Sequence, residues 1–270
     1  TDLEDIKDAF VQYASSVPFF GATIVCLDDE NVRSILGRID RRIVTYGTLR
    51  QSQIRAENIV QEGRKMHFDV HNGDLRLGRA TLSAPGHHNV LNALAAIAVG
   101  LELDMTFDSI AVGIASYSGV QRRMEEIGEA GGILVVDDYA HHPTEVKATL
   151  DGAAGCWPDR RIIAVFQPHL YSRTQDLCDD FASSFFDADV VVIMDVYGAR
   201  EAPVEGVSGE LISKRAHLAG HPHVEYVPNK EELVEFVVRL SRPGDVVITL
   251  GAGDIWRLNR QILSRLQEAN

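Results

Sequence analysis

From about Arg123 onward, short apolar runs near 133–136, 161–166, 189–194, 223–227 and 245–250 alternate with stretches of helical spacing. This pattern constrains the fold more than any other feature of the chain. Parallel strands need crossovers long enough to hold a helix, and those crossovers are right-handed. Runs such as Ile133-Leu134-Val135-Val136 and Val246-Val247-Ile248-Thr249-Leu250 have no polar alternation, as expected of strands covered on both faces. The expectation is an α/β domain with a doubly wound, mainly parallel, Rossmann-like sheet.

Residues 1 to about 120 have a different texture. A helical pattern near 3–15 leads to a strand at 22–27 and a short one at 44–46. Two alternating runs follow, 65–70 and 75–82, around His71-Asn72-Gly73-Asp74, whose Asn-Gly step signals a hairpin. Helices near 89–101 and 106–116 close this half. The boundary is expected near Ser118-Gly119-Val120, giving domains 1–120 and 121–270. The chain opens at Thr1 directly in a helical pattern, and we expect it to continue a longer protein.

Among 270 residues, 26 basic and 39 acidic side chains give a net charge of −13, which argues against a nucleic-acid or anionic-membrane surface. No apolar stretch reaches the length of a membrane span. Cys26, Cys156 and Cys178 are widely spaced, with no Cys-x-x-Cys, which suits a reducing cytoplasm better than a disulfide framework.

Four segments carry chemistry. Asp137-Asp138-Tyr139-Ala140-His141-His142-Pro143-Thr144-Glu145 leaves the carboxyl end of a strand, where open α/β sheets bind ligands. Phe166-Gln167-Pro168-His169-Leu170-Tyr171-Ser172-Arg173-Thr174 leaves another, so His169 and Arg173 are expected to face the same crevice as His141. The plainer reading there is a helix capped by Ser172 with Arg173 in solvent. Pro85-Gly86-His87-His88-Asn89-Val90-Leu91-Asn92 turns from strand to helix with Asn89 and Asn92 on one face. Their carboxamides suit an adenine edge, or equally a capping role. Gly119-Val120-Gln121-Arg122-Arg123-Met124-Glu125 places guanidinium groups at the domain junction, for a phosphate, a ribose or an interdomain ion pair. Asp28 and Asp29 read as turn residues. The His pairs at 87–88 and 141–142 lack the spacing of a helical metal site, and no metal ligand is assigned.

Together these segments resemble the Mur ligases, and Gly251-Ala252-Gly253-Asp254-Ile255 and Asp195-Val196-Tyr197-Gly198-Ala199-Arg200-Glu201 are similar to further motifs of that family. The resemblance implies the later part of an ATPase-type central domain followed by a complete carboxyl-terminal domain. It also implies ATP-driven amide formation: the carboxylate of UDP-N-acetylmuramic acid becomes an acyl phosphate, which the amine of L-alanine attacks. By analogy His88, Asn89 and Asn92 would contact adenine, while Arg123 and Asp138 would hold the ribose and phosphate region. Tyr139, His141, His169 and Arg173 would face the alanine carboxylate and the reacting end of the muramyl substrate. A sister branch that recycles murein tripeptide shares much of this, and Tyr139 and Glu145 lean toward the alanine-adding branch.

Two departures stand out. Leu170 occupies a position where the family usually has Arg. No Gly-x-x-x-x-Gly-Lys-Ser/Thr occurs anywhere in the chain. The phosphate loop, the Mg2+ ligands and the UDP-binding domain are expected upstream, and the chain alone is expected to lack turnover. A sheet cut partway exposes apolar surface, so self-association through residues 1–84 is expected. A non-catalytic nucleotide- or precursor-binding module and a histidine-rich metal hydrolase are the competing readings.

Overall fold

The computed structural model describes residues 2–268 and divides into two units, Thr1–Ser118 and Gly119–Asn270. In the first unit, helix α1 (Leu3–Ser15) precedes β1 (Thr23–Cys26), α2 (Glu30–Ile35) and β2 (Ile43–Gly47). Strands β3 (Ile54–Glu62), β4 (Lys65–Asn72) and β5 (Leu75–Leu82) follow, then helices α3 (His87–Glu102) and α4 (Phe107–Ala115). The sheet runs β1-β2-β3-β4-β5. Its first three strands are parallel, and β3, β4 and β5 pair antiparallel.

The hairpin turns at Gly73-Asp74, with Gly73 at φ 58°, a conformation that costs glycine little. Strand β3 escapes the sequence pattern for a physical reason. A bulge between Glu57 and Val60, with Asn58 at φ 51°, shifts the register and breaks the two-residue alternation partway along. The apolar face of α3 (Val90, Leu94, Ile97) packs on Val44, Ile54, Phe68 and Val70 of the sheet. Asp28 and Asp29 do more than turn the chain. Asp28 accepts hydrogen bonds from the backbone and hydroxyl of Thr48, and Asp29 caps α2 through Val32 N.

The second unit contains β6 (Glu125–Ala130), β7 (Ile133–Asp138), α5 (Pro143–Cys156), β8 (Arg161–Phe166), α6 (Tyr171–Asp176) and α7 (Cys178–Ala182). It continues with β9 (Val190–Ile193), α8 (Gly209–Leu218), β10 (Val224–Tyr226), α9 (Lys230–Leu240), β11 (Asp245–Leu250) and α10 (Trp256–Glu268). The sheet order is β10-β9-β8-β11-β7-β6, parallel throughout except for β6 against β7. One apolar core lies on the face carrying α5, α7 and α8, the other on the face carrying α9 and α10. The doubly wound α/β fold expected from the alternation is therefore present.

The edge strand β6 was not legible. It carries three Glu and a bulge at Gly128, so it lacks the apolar run that marks its neighbours. The order matters for function. Because β11 inserts between β7 and β8, the loops leaving these three strands emerge side by side. Gly251 N donates to Asp138 O, and Gln167 N donates to Leu250 O, which ties them together.

Candidate active site

The end of β7 turns its acids inward. Asp137 and Asp138 are almost fully buried. Asp137 accepts from Thr249 Oγ1 at 2.7 Å and from Arg122 Nε at 2.9 Å. Asp138 accepts from Met124 N and Ala140 N, both at 2.8 Å. Burial raises its pKa, against the pull of those two N–H groups and of Arg123. Asp138 thus braces the loop. Arg123 lies outside it, 3.9 Å from Asp138 Oδ1 and 3.7 Å from Glu145 Oε1.

Beyond the acids, Tyr139 donates its N–H to Arg122 O and lies beneath the Arg122 guanidinium, 4.8 Å from the ring centroid. The next ring is His141, 5.2 Å from Tyr139. His141 Nδ1 is 2.9 Å from Tyr139 O; a carbonyl only accepts, so Nδ1 carries a proton. Glu145 receives the backbone N–H groups of His141 and His142. Burial pushes its pKa up, but these bonds together with His141 and Arg123 hold it below the usual carboxylate range. His142 spends its Nδ1 on Thr144 N, as the cap of α5 ahead of Pro143.

The loop after β8 meets this one. His169 and His141 have ring centroids 5.9 Å apart. On its other side His169 stacks on Tyr197, and the two backbones exchange bonds, Leu170 N to Tyr197 O and Tyr197 N to Pro168 O. Leu170 adopts φ 73° just before α6, so the chain turns sharply between His169 and Arg173. Ser172 does not cap this helix with its side chain. Its N–H and hydroxyl both donate to Glu201. Two polar atoms of this loop remain buried without a protein partner: His169 Nδ1 and Arg173 Nη1. Burial lowers the His169 pKa, and the charges of Arg173 and His141 lower it further, against Glu201. The imidazole is therefore neutral beside a permanent cation.

The structure brings Tyr139, His141, His169 and Arg173 into one cluster, with Arg123 and Asp138 at its β7 margin. Sequence reasoning gave no individual role to Tyr197, Glu201 or Gln167. Tyr197 and Glu201 follow the buried strand β9, so the strand-end rule that found His141 would have reached them. Gln167 accepts from Ile255 N and donates to Asp254 Oδ1, pinning the Gly251–Asp254 turn.

His88, Asn89 and Asn92 belong to the first unit, in the opening turns of α3. Asn89 donates to Pro85 O at 2.7 Å, and Asn92 donates to Asn89 Oδ1 at 3.3 Å. Both line a groove of about 490 Å3 between α3 and α4, whose walls include Ala93, Ile110 and Tyr117. No group of three or more His, Cys, Asp or Glu among the described residues is arranged to hold a metal. No described helix is long and apolar enough to cross a membrane.

With this geometry in hand, a model of the Mur ligase middle domain matches residues 1–100, and one described as "Mur ligase, glutamate ligase domain" matches residues 122–253. The chain belongs to the Mur ligase family. Among its relatives, the UDP-N-acetylmuramate–L-alanine ligase of Salinibacter ruber is 56% identical over 98% of this chain and 56% of its own length. That of Geobacter sulfurreducens is 47% identical over 99% of this chain and 58% of its own length. This Mur ligase chain thus spans a little over half the length of the curated relatives it matches. A solved UDP-N-acetylmuramate–alanine ligase from Thermotoga maritima superposes with a TM-score of 0.80 at 25% identity, covering 100% of this chain and 56% of the other. A murein peptide ligase from Psychrobacter arcticus gives 0.70 at 26% identity, covering 98% and 55%.

Proposed function

We propose that this chain is the later part of an ATP-dependent ligase that joins L-alanine to UDP-N-acetylmuramic acid through an acyl phosphate, in peptidoglycan biosynthesis. One observation carries the reading: His169 Nδ1 and Arg173 Nη1 are buried without protein partners, the Arg173 charge acts on His169, and the His169 ring lies opposite His141. Buried polar groups are almost always bonded, so an orphaned imidazole nitrogen and an orphaned guanidinium N–H imply a guest. Arg173 would hold the L-alanine carboxylate. The neutral His169, or His141 through Nε2, would accept the proton that the ammonium must lose before its nitrogen attacks. Tyr139 would flank the reacting end of the muramyl substrate.

For ATP, the adenine half fits the residues present. Asn89 and Asn92 front a groove in which Asn92 keeps a carboxamide oxygen for a base edge, with His88 beside them. Arg123 would reach the ribose and phosphates, with Asp138 acting through the loop it braces. Beyond Arg123, the phosphate half lacks its main cradle in this chain, which contains no phosphate loop. That loop and the Mg2+ ligands would lie upstream. Two charge-assisted bonds lost from phosphate, at about 1.5–3 kcal/mol each, weaken ATP binding by roughly two to four powers of ten. The chain alone would have no turnover. We also propose a cytoplasmic location, in keeping with three free cysteines, and self-association of the isolated chain through residues 1–84.

Phosphate release with ATP, magnesium, UDP-N-acetylmuramic acid and L-alanine tests this. The chain alone should release none, and the full-length protein should depend on L-alanine and lose at least about tenfold in rate with Arg173→Ala. Alanine-dependent turnover by the chain alone would refute the fragment reading. A full-length protein that prefers murein tripeptide, or binds without turnover, would refute the alanine assignment.

A further inference from the structure

A second cavity, of about 320 Å3, opens where β6, the end of β7 and the start of α10 meet. His141, His169 and Arg173 take no part in it. Asn259 lies on its floor and is only 1% exposed. One end of the Asn259 amide is 2.8 Å from Thr249 Oγ1, and the other end has no protein partner. Thr249 has a single hydroxyl proton, and the Asp137 carboxylate at 2.7 Å is the stronger acceptor. The amide nitrogen of Asn259 must then donate to Thr249, which leaves the amide oxygen as the unpartnered end of a residue that lines the cavity. The floor therefore presents an acceptor that lacks a donor.

The walls carry both signs of charge. Arg260 is exposed and has no ion-pair partner among the described residues. Arg122 commits Nε to Asp137 and Nη2 to Gly251 O, which leaves Nη1 open. Glu125 commits Oε2 to Arg122 N and leaves Oε1 open. Trp256 and Ile127 add an aromatic and an aliphatic surface. A donor-hungry floor beside a carboxylate, two guanidinium groups with free N–H, and an indole form a complementary set.

We propose that this cavity binds a free α-amino acid with an aromatic side chain. Its ammonium donates to the Asn259 amide oxygen and Glu125, its carboxylate accepts from Arg260 and Arg122, and its ring lies on Trp256 and Ile127. A simple anion would leave the Asn259 oxygen unsatisfied, and a simple amine would leave Arg260 unpaired. A zwitterion answers both.

The two tryptophans of the chain give two indole N–H resonances in a proton–nitrogen spectrum, and Trp256→Phe assigns them. Titration with L-phenylalanine should move the Trp256 resonance saturably and leave that of Trp157 in place. N-acetyl-L-phenylalanine, L-phenylalaninamide and the surface variant Arg260→Ala should each weaken the interaction by about tenfold, the effect of one charge-assisted hydrogen bond. Arg173→Ala should leave it unchanged, which separates this site from the one proposed above. No shift up to the solubility limit of phenylalanine would overturn the proposal. So would equal binding by either blocked analogue, since the indole alone would then account for it.

Discussion

Tyr197 lies nearly flat against His169, with ring centroids 5.8 Å apart and 18° between the planes. Because the flanking backbones are also bonded, the imidazole is held from one side by a loop that follows a different strand. Its other side faces His141. Removing the phenol ring should expose His169 to water and relieve the burial that depresses its pKa. We expect Tyr197→Ala to raise the His169 pKa toward the ordinary histidine value and Tyr197→Phe to leave it low, as read from imidazole proton shifts against pH.

The same depression has a sign in stability. Unfolded His169 titrates near the ordinary value of 6.5, and folded His169 titrates below it. Between those values the unfolded chain binds more protons, so stability rises with pH. The contribution is complete above pH 6.5 and is lost as pH falls through the folded pKa. His169→Asn should flatten this part of the curve, seen as a smaller fall in the urea midpoint when pH is lowered through that window. A variant that loses stability as steeply as the parent would show that His169 is not its source.

Gly253 is packed so closely that any side chain must displace the site. A Cβ there would lie 2.4 Å from Gln167 Oε1 and 2.8 Å from Tyr197 Cγ. Gln167 cannot yield cheaply, being buried and bonded to Ile255 and Asp254. Gly253→Ala should cost about 1–3 kcal/mol by overpacking, measured by urea denaturation. It should also shift the His169 resonances, since Tyr197 has to move.

The parts that the sequence disclosed share a property: their signal is local. Each buried strand of the second unit is a continuous apolar run, and His141 and Arg173 follow such runs directly. What stayed hidden depends on partners distant along the chain. Strand β3 loses its alternation at a bulge whose Asn58 bonds to Asp69 on the next strand. Strand β6 is an edge with three carboxylates. Asp138 is read as a ribose and phosphate contact through the family likeness alone; that it also accepts from Met124 N and Ala140 N, with the loop bent back over it, only the fold reveals. Tyr197 lies in a segment similar to a family motif, but its place against His169 follows only once the sheet order sets β9 beside β8.

Helix α1 carries Leu3, Ile6, Phe10 and Tyr13 at helical spacing, yet all four are exposed, and Ala14 is its only buried residue. Phe19 and Phe20 follow, 91% and 78% exposed, edge-to-face on each other at 5.4 Å. An apolar stripe on a helix normally faces a core, and covering a large apolar side chain stabilises by roughly 1.5–3 kcal/mol. Strand β1 adds to the demand, because it ends the sheet with β2 as its sole partner among the described residues. The isolated chain should therefore associate through this region at rising concentration in sedimentation velocity. Replacing Phe10, Phe19 and Phe20 with Ser should return it to monomer, with the urea midpoint of the second unit unchanged because these residues lie outside its cores. A parent chain that remains monomeric at every concentration would mean the stripe is tolerated in water and would remove the argument for association.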